Sequence, residues 1–175
     1  MARSAFKGVG GAAPTAKPLG FVSPLGYLDQ EEDMTDRLRY RPHHFLCSLG
    51  FEGEGYSDAF TANMHALVVG RLRAPEGAGL EIEVVGAADD ICSPCPKRRG
   101  TGCSSQDKID RLDAAHAQAL QIAPGDVLRW GEALARMRAL PGDIHQRICE
   151  DCSWREAGMC AASLARLKAD EKRRP

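Results

Sequence analysis

The chain has 175 residues, a formal net charge of −1 and only 6% aromatic residues. This length fits one domain with an aliphatic core, and the near-zero charge argues against a dedicated nucleic-acid-binding protein while leaving local basic patches open. No apolar run approaches the ~20 residues that span a bilayer, and the N-terminus lacks the apolar core of a secretory signal, so we expect no membrane contact and a cytoplasmic location.

The first 33 residues are rich in glycine and proline and show no hydrophobic period. Such a composition cannot offset the entropy lost on ordering, so residues 1–33 are predicted to be a disordered tail or a mispredicted start. The pattern changes at Met34, which is a candidate for the real translation start. Residues 34–170 are predicted to form one cysteine-rich metal-binding domain.

Two segments alternate apolar and polar residues as strands do. In the segment 37–41, Leu38 and Tyr40 share one face, and the alternation at 80–85 is the strongest in the chain. Because an isolated strand would leave its backbone groups unpaired, the two segments are predicted to pair with each other.

The remaining apolar periods predict helices, and two of these carry candidate caps. Helices are expected at 43–51, from Ser57 (as N-cap) to about Arg73, from Ser104 or Ser105 to Pro124, at 126–140 with Val127 and Trp130 inward, and at about 161–171. The predicted fold class is therefore mainly α (α+β), a helical domain with a minimal two-stranded sheet, organised around cysteine metal sites.

Seven cysteines are a high and odd number for a chain without a secretion signal, which favours metal or redox chemistry over disulfides. Six of them obey one rule, Cys-x2-Cys-x7-Cys, used twice at a distance of 57 positions. A Cys-x2-Cys turn lets two thiolates converge on one centre, and the longer loop returns a third. The first motif is Cys92, Cys95 and Cys103, and the second motif is Cys149, Cys152 and Cys160.

Each motif provides three thiolates, and only Cys47 is in reserve, so two centres with four cysteines each cannot be completed. His43 and His44 lie four and three positions before Cys47, so on a helix either can face the same centre as that cysteine. One centre can thus be completed by Cys47 and the other by a histidine. Alternatively, one iron stays open and Cys47 is free.

Three functions are compatible with this ligand set. We favour an iron–sulfur protein with one or two clusters, which acts in electron transfer or cluster handling and has a redox protein as partner. The proline after Cys95 is typical of cluster-binding sequences. The first alternative is a Zn²⁺-stabilised module that binds protein or RNA. The second is a metalloenzyme with an open metal position, in which His43, His44 or Asp90 moves protons, so the sequence leaves open whether the protein is an enzyme.

From Arg37 to Cys160 the sequence resembles a prokaryotic family known as domain of unknown function number 1284. The matching segments are R-L-R-Y-R-P-H-H-F-L-C at 37–47, G-F-E-G-E-G-Y-S at 50–57, D-D-I-C-S-P-C-P at 89–96 and I-C-E-D-C-S-W at 148–154. The resemblance implies metal or iron–sulfur binding and brings no established reaction with it.

Several other polar residues have simpler interpretations. His65, His116 and His145 are scattered and are predicted to be ordinary surface or cap residues. The basic run 97–99 is predicted to be solvated charge. The pair 89–90 is predicted either to hydrogen-bond a ligand histidine or to form a turn, and Trp154 is a candidate cover for a metal centre.

Overall fold

The computed structural model describes residues 37–171, so the prediction for the tail 1–33 falls outside the described residues. Within that range the fold is mainly α (α+β). The helices are α1 (His44–Gly50), α2 (Asp58–Met64), α3 (Gln106–Leu120), α4 (Trp130–Ala139), α5 (Ile144–Ile148) and α6 (Met159–Glu171). The strands are β1 (Leu38–Tyr40), β2 (Glu81–Val84), β3 (Arg98–Arg99), β4 (Gly102–Cys103) and β5 (Val127–Arg129).

The predicted pairing of the two alternating segments is confirmed. β1 and β2 run parallel, with Leu38 opposite Ile82 and Tyr40 opposite Val84. All four side chains are buried, so the shared face of this pair forms part of the core. The chain leaves β1 directly into α1, which places the beginning of α1 beside the carboxyl end of β2.

The sheet has a third strand that the sequence pattern did not predict. The expected helix at 126–140 begins only at Trp130, and β5 instead pairs antiparallel with the free edge of β2. Val127 was expected to point inward and is 45% exposed. The prediction was wrong because the open edge of β2 needs hydrogen-bond partners, and a β-branched residue suits a strand as well as a helix.

The helix predicted from Ser57 to about Arg73 is confirmed, and an arginine at its end hydrogen-bonds to the end of α1. Ser57 caps α2, since its Oγ accepts a hydrogen bond from the backbone N–H of Phe60 at 3.2 Å. The helix continues with π-helical geometry over His65–Leu72. Arg73, which follows it, donates from Nη2 to the backbone carbonyls of residues 48, 49 and 51. Carbonyls at the end of a helix generally lack intrahelical donors, although the carbonyl of residue 48 also accepts the backbone N–H of Phe51 at 3.5 Å.

α1 and α6 pack against each other at very short range. A Cβ added to Gly50 would lie 2.6 Å from Cys160 Sγ and 2.9 Å from the Cα of that residue. Only glycine therefore allows the end of α1 to touch the beginning of α6. This contact brings Cys47 of α1 close to the second motif.

The other helix predictions are confirmed with corrected ends. Ser105 occupies the N-cap position of α3 but makes no side-chain capping bond, contrary to expectation; Gln106 Oε1 instead accepts the backbone N–H of Cys103 at 2.8 Å. Gln121 ends α3 in a left-handed conformation (φ 55°). The short helix α5 and the β3–β4 hairpin were not predicted. No helix within residues 37–171 has the length and apolar character needed to cross a membrane.

Candidate metal centres

The two cysteine motifs form the same turn. The carbonyl of Cys92 accepts the backbone N–H of Cys95 at 3.0 Å, and that of Cys149 accepts the N–H of Cys152 at 2.9 Å. In the first motif, the β3–β4 hairpin then returns Cys103 opposite Arg98. In the second motif, a 3-10 turn and left-handed Gly158 (φ 74°) lead into the first turn of α6, where the third cysteine lies.

Cys47 lies with the second motif. Its thiol has a pKa raised well above the ordinary value, first by burial and then by the nearby thiols of Cys160, Cys152 and Cys149. All four cysteines line one small cavity of about 20 Å³, the second cavity. Four thiols around one cavity are the number that an all-cysteine iron–sulfur cluster or a structural zinc site requires.

The first motif lines a larger cavity of about 120 Å³, the first cavity. Its wall includes His43, His44 and Arg41, together with two lysines, Lys97 and Lys108. The two cavities adjoin. Residues that line both of them are His43, Cys47, Leu112, Cys152 and Cys160.

His44 is held by a buried carboxylate. Its Nδ1 lies 2.6 Å from Asp89 Oδ2. Burial would raise the pKa of Asp89, but the neighbouring His44 and the backbone N–H groups of Arg41 and Cys92 outweigh it and lower that pKa to about 2. A charged carboxylate only accepts hydrogen bonds, so Nδ1 of His44 carries a proton and Nε2 is the ring nitrogen left to face a metal ion. Ligand histidines in metal sites are oriented in this way.

Asp89 also connects His44 to the first motif through hydrogen bonds. Asp89 Oδ1 accepts the backbone N–H of Cys92 at 3.0 Å, and Oδ2 accepts the N–H of Arg41 at 2.6 Å. Ligand atoms of His44, Asp89 and Cys92 all lie within 4.8 Å of one another. Both oxygens of Asp89 are engaged in hydrogen bonds, one of them to His44, and a hydrogen bond to this histidine is among the roles predicted for the pair of aspartates.

His43 has a matching arrangement with another carboxylate. Its Nδ1 lies 2.5 Å from Asp113 Oδ1, whose other oxygen accepts from Arg41 Nε at 2.7 Å. Burial and then the neighbouring His44 lower the pKa of His43 to about 4, although Asp113 acts in the opposite direction. The imidazole is therefore neutral at pH 7. The structure brings both predicted histidines to the first cavity, and a ligand atom of His44 lies within 4.8 Å of Cys92 Sγ.

Arg41 is a buried charged residue at the first cavity that sequence reasoning missed. Its side chain is 1% exposed and bonds through Nη2 to Asp110 at 3.3 Å, in addition to the bond with Asp113. Nη1 is buried without a hydrogen-bond partner among the described residues. The guanidinium also acts on Cys92, whose pKa burial and Asp89 raise to about 12 while Arg41 opposes the rise. A buried cationic donor thus lies beside the first motif.

Two histidines predicted to be surface residues belong to the second cavity. His116 is 2% exposed, its Nδ1 lies 2.7 Å from the carbonyl of Leu112, and its Nε2 lies 3.5 Å from Cys149 Sγ. His145 lines the same cavity, and its Nδ1 is buried without a partner in the described range. The surface prediction was wrong for His116, although its spacing of four from both Leu112 and Leu120 placed it on the apolar face of α3.

An aromatic pair lies at the first cavity, where Trp154 was predicted to cover a centre. The rings of Tyr56 and Trp154 are 5.4 Å apart, and Lys97 Nζ lies 4.2 Å above the Tyr56 ring. All three residues line the cavity. They give it a wall that is partly apolar and partly cationic.

One family model matches this chain over residues 55–158, which is more than half of its length. The match includes the first motif and two cysteines of the second, and it leaves α1 and Cys160 outside. Neither a curated protein nor a solved structure gives a significant match. The chain therefore belongs to the family described as "Protein of unknown function (DUF1284)".

Proposed function

We propose that this protein binds two iron–sulfur clusters at adjoining centres and serves in electron transfer or cluster handling. The second centre is assigned to Cys47 with the second motif, which supplies four thiolates. The first centre is assigned to the first motif with Nε2 of His44 as the fourth ligand. The observations that carry the proposal are that Cys47 lines the second cavity together with all three cysteines of the second motif, and that His44 lies near Cys92 at the first cavity.

Buried nitrogen atoms support an anionic group in each cavity. Arg41 Nη1 belongs to a residue that lines the first cavity, and His145 Nδ1 to one that lines the second; both lack partners within the described range. Leaving a buried polar group unpaired costs roughly 1–3 kcal/mol, and more when the group is charged. Thiolate and inorganic sulfide atoms of a cluster accept hydrogen bonds and carry negative charge. The residues present therefore fit such a group.

The chain's own residues would control the redox properties of the centres. Bound clusters supply one-electron chemistry, and their potential depends on ligand charge, hydrogen bonds to sulfur and exposure to solvent. Here burial keeps water from Cys149, which is 6% exposed, while Asp89 and Asp113 fix the two histidines. A redox protein as partner and a cytoplasmic location complete the proposal.

Zinc is the second candidate, and the completeness of both ligand sets favours it. Structural zinc sites are closed by four ligands, and both four cysteines and three cysteines with one histidine are common combinations. In this case the protein would be a zinc-stabilised module that binds protein or RNA. The metalloenzyme alternative requires an open position, which ligation by His44 would remove from the first centre.

Anaerobic purification followed by visible spectroscopy and analysis of iron, sulfide and zinc tests the proposal. We expect a brown protein with iron and acid-labile sulfide in equal amounts. The Cys47→Ala variant should lose about half of the iron, and Cys92→Ala the other half, with different electron paramagnetic resonance (EPR) signals remaining. A colourless protein with stoichiometric zinc would overturn the iron–sulfur assignment.

A further inference from the structure

We infer that the two centres are unequal, and that Arg41 and His44 give the first centre the higher reduction potential, so that the first electron taken up by the protein resides there. This inference rests on the proposed function and adds an order of reduction to it. The step is the transfer of one electron from an external one-electron donor; no bond forms or breaks.

Ligand charge is the largest difference between the two centres. The second centre has four thiolates, whereas the first has three and one imidazole. Nδ1 of His44 lies 2.6 Å from Asp89 Oδ2, so the imidazole would bind the centre through Nε2 as a neutral ligand. One negative charge fewer among the ligands stabilises the reduced form, because reduction adds negative charge. Replacement of thiolate by histidine raises the potential of iron–sulfur centres in general.

The surroundings of the first centre add a hydrogen-bond donor and a positive charge. Arg41 is 1% exposed, and its unpaired Nη1 is a donor that a cluster sulfur can satisfy. Asp110 and Asp113 balance the charge of Arg41, so the donor is its contribution. Lys97 lies in the loop of the first motif, lines the first cavity and has no ion pair among the described residues. Its charge favours the reduced state further.

The second centre lies in a more enclosed site. The second cavity is much smaller than the first, at about 20 Å³ against about 120 Å³, so solvent can stabilise added charge less. Enclosure thus acts in the same direction as ligand type.

A redox titration with EPR detection on protein whose histidines are labelled with ¹⁵N tests the order of reduction. We expect two reduction waves. The signal that develops first should show strong coupling to a histidine nitrogen, and the signal that develops second should show none. A single wave, or nitrogen coupling confined to the second signal, would overturn the inference.

Variants assign the effect to residues. His44→Cys keeps four ligands at the first centre, so it should lower the upper potential and abolish the nitrogen coupling while the lower potential stays unchanged. Lys97→Gln should lower the upper potential by a smaller amount, and Arg129→Gln on strand β5, which removes an equal charge elsewhere, should change neither. Arg41→Lys keeps the charge with fewer donors and should shift the upper potential downward. An upper potential that His44→Cys leaves unchanged contradicts the inference.

The same data separate this inference from the proposed function. Protein without iron and sulfide shows no reduction wave, which would overturn both. Iron and sulfide with two centres of equal potential would overturn the inference alone and leave cluster binding standing.

Discussion

Gly50 and Arg73 both determine how the end of α1 packs, and any effect of these residues on metal binding would follow from that packing. At Gly50 the backbone of α1 meets Cys160 without space for a methyl group. Arg73 supplies three hydrogen bonds to carbonyls at the end of the same helix. Since Cys47 is on α1, any movement of this end changes the distance between Cys47 and the second motif.

Gly50→Ala is expected to destabilise the protein by about 1–3 kcal/mol, the usual range for overpacking in a well-packed site. The new Cβ would meet the sulfur and the Cα of Cys160, and a backbone atom cannot turn aside as a flexible side chain can. Chemical denaturation measures the free energy of unfolding, and the iron content reports on the second centre. Gly142→Ala is the matched control, because a Cβ there has no atom within 4 Å. Equal stability of the two variants would contradict the close contact between α1 and α6.

Arg73→Met is expected to cost about 1–3 kcal/mol, because it leaves carbonyls at the end of α1 without their donor while keeping a long apolar side chain. Arg39→Met, at an exposed position of β1, removes the same charge and serves as the control. Urea denaturation of both variants gives the comparison. If both lose the same amount of stability, the loss comes from charge and the three hydrogen bonds are unimportant.

At the scale of elements, the two cysteine motifs share a spacing and differ in charge. The loop of the first motif carries Lys97, Arg98 and Arg99, and the arginine side chains donate only to backbone carbonyls within the described residues. The loop of the second motif carries three carboxylates, at positions 150, 151 and 156. The approach to the proposed first centre is therefore cationic, which would suit the proposed redox partner if that partner is acidic.

Removing the charges of the β3–β4 hairpin should slow reduction by an anionic donor. We expect Arg98→Gln with Arg99→Gln to lower the rate of reduction by dithionite at low salt and to raise the rate with a reduced, cationic viologen. Both effects should shrink as salt screens the charges. Stopped-flow absorbance at two ionic strengths measures these rates, with Arg129→Gln as the control. Equal changes for both donors would contradict electrostatic steering by the hairpin.

At the scale of the whole molecule, the sequence pattern predicted those elements that depend on residues close together in the chain. The pairing of β1 with β2, the helix α1 and the cap at Ser57 all follow from periodicity or from one side chain. β5 was missed because its three residues become a strand only when the edge of β2 is present. The cysteine rule predicted the candidate ligands, although the assignment of Cys47 to the second motif depends on the contact of α1 with α6.

Charged and histidine residues behind the ligands were the least predictable part of the site. Arg41 and Asp113 are 72 positions apart, and no local period links them. His116 had a local indication in the apolar face of α3, and its spacing from Leu112 and Leu120 was available from the sequence alone. Pairing between residues so far apart in the chain depends on how the domain packs, and this packing cannot be predicted from composition and residue spacing.

The second centre should contribute more to the stability of the whole domain than the loop of the first motif does. Cys47 and Cys149 are about 100 residues apart, whereas Cys95 and Cys103 close a short hairpin. In the chain-entropy picture a crosslink over about 100 residues stabilises by about 1–2 kcal/mol more than one over about 15. We therefore expect Cys47→Ser to lower the thermal midpoint of metal-loaded protein further than Cys103→Ser. Complete removal of metal by a chelator should lower it most, because the proposed metal–ligand bonds would join α1, α6 and both motifs. A larger loss in Cys103→Ser would show that the hairpin, and not the link from α1 to α6, is the main support of the fold.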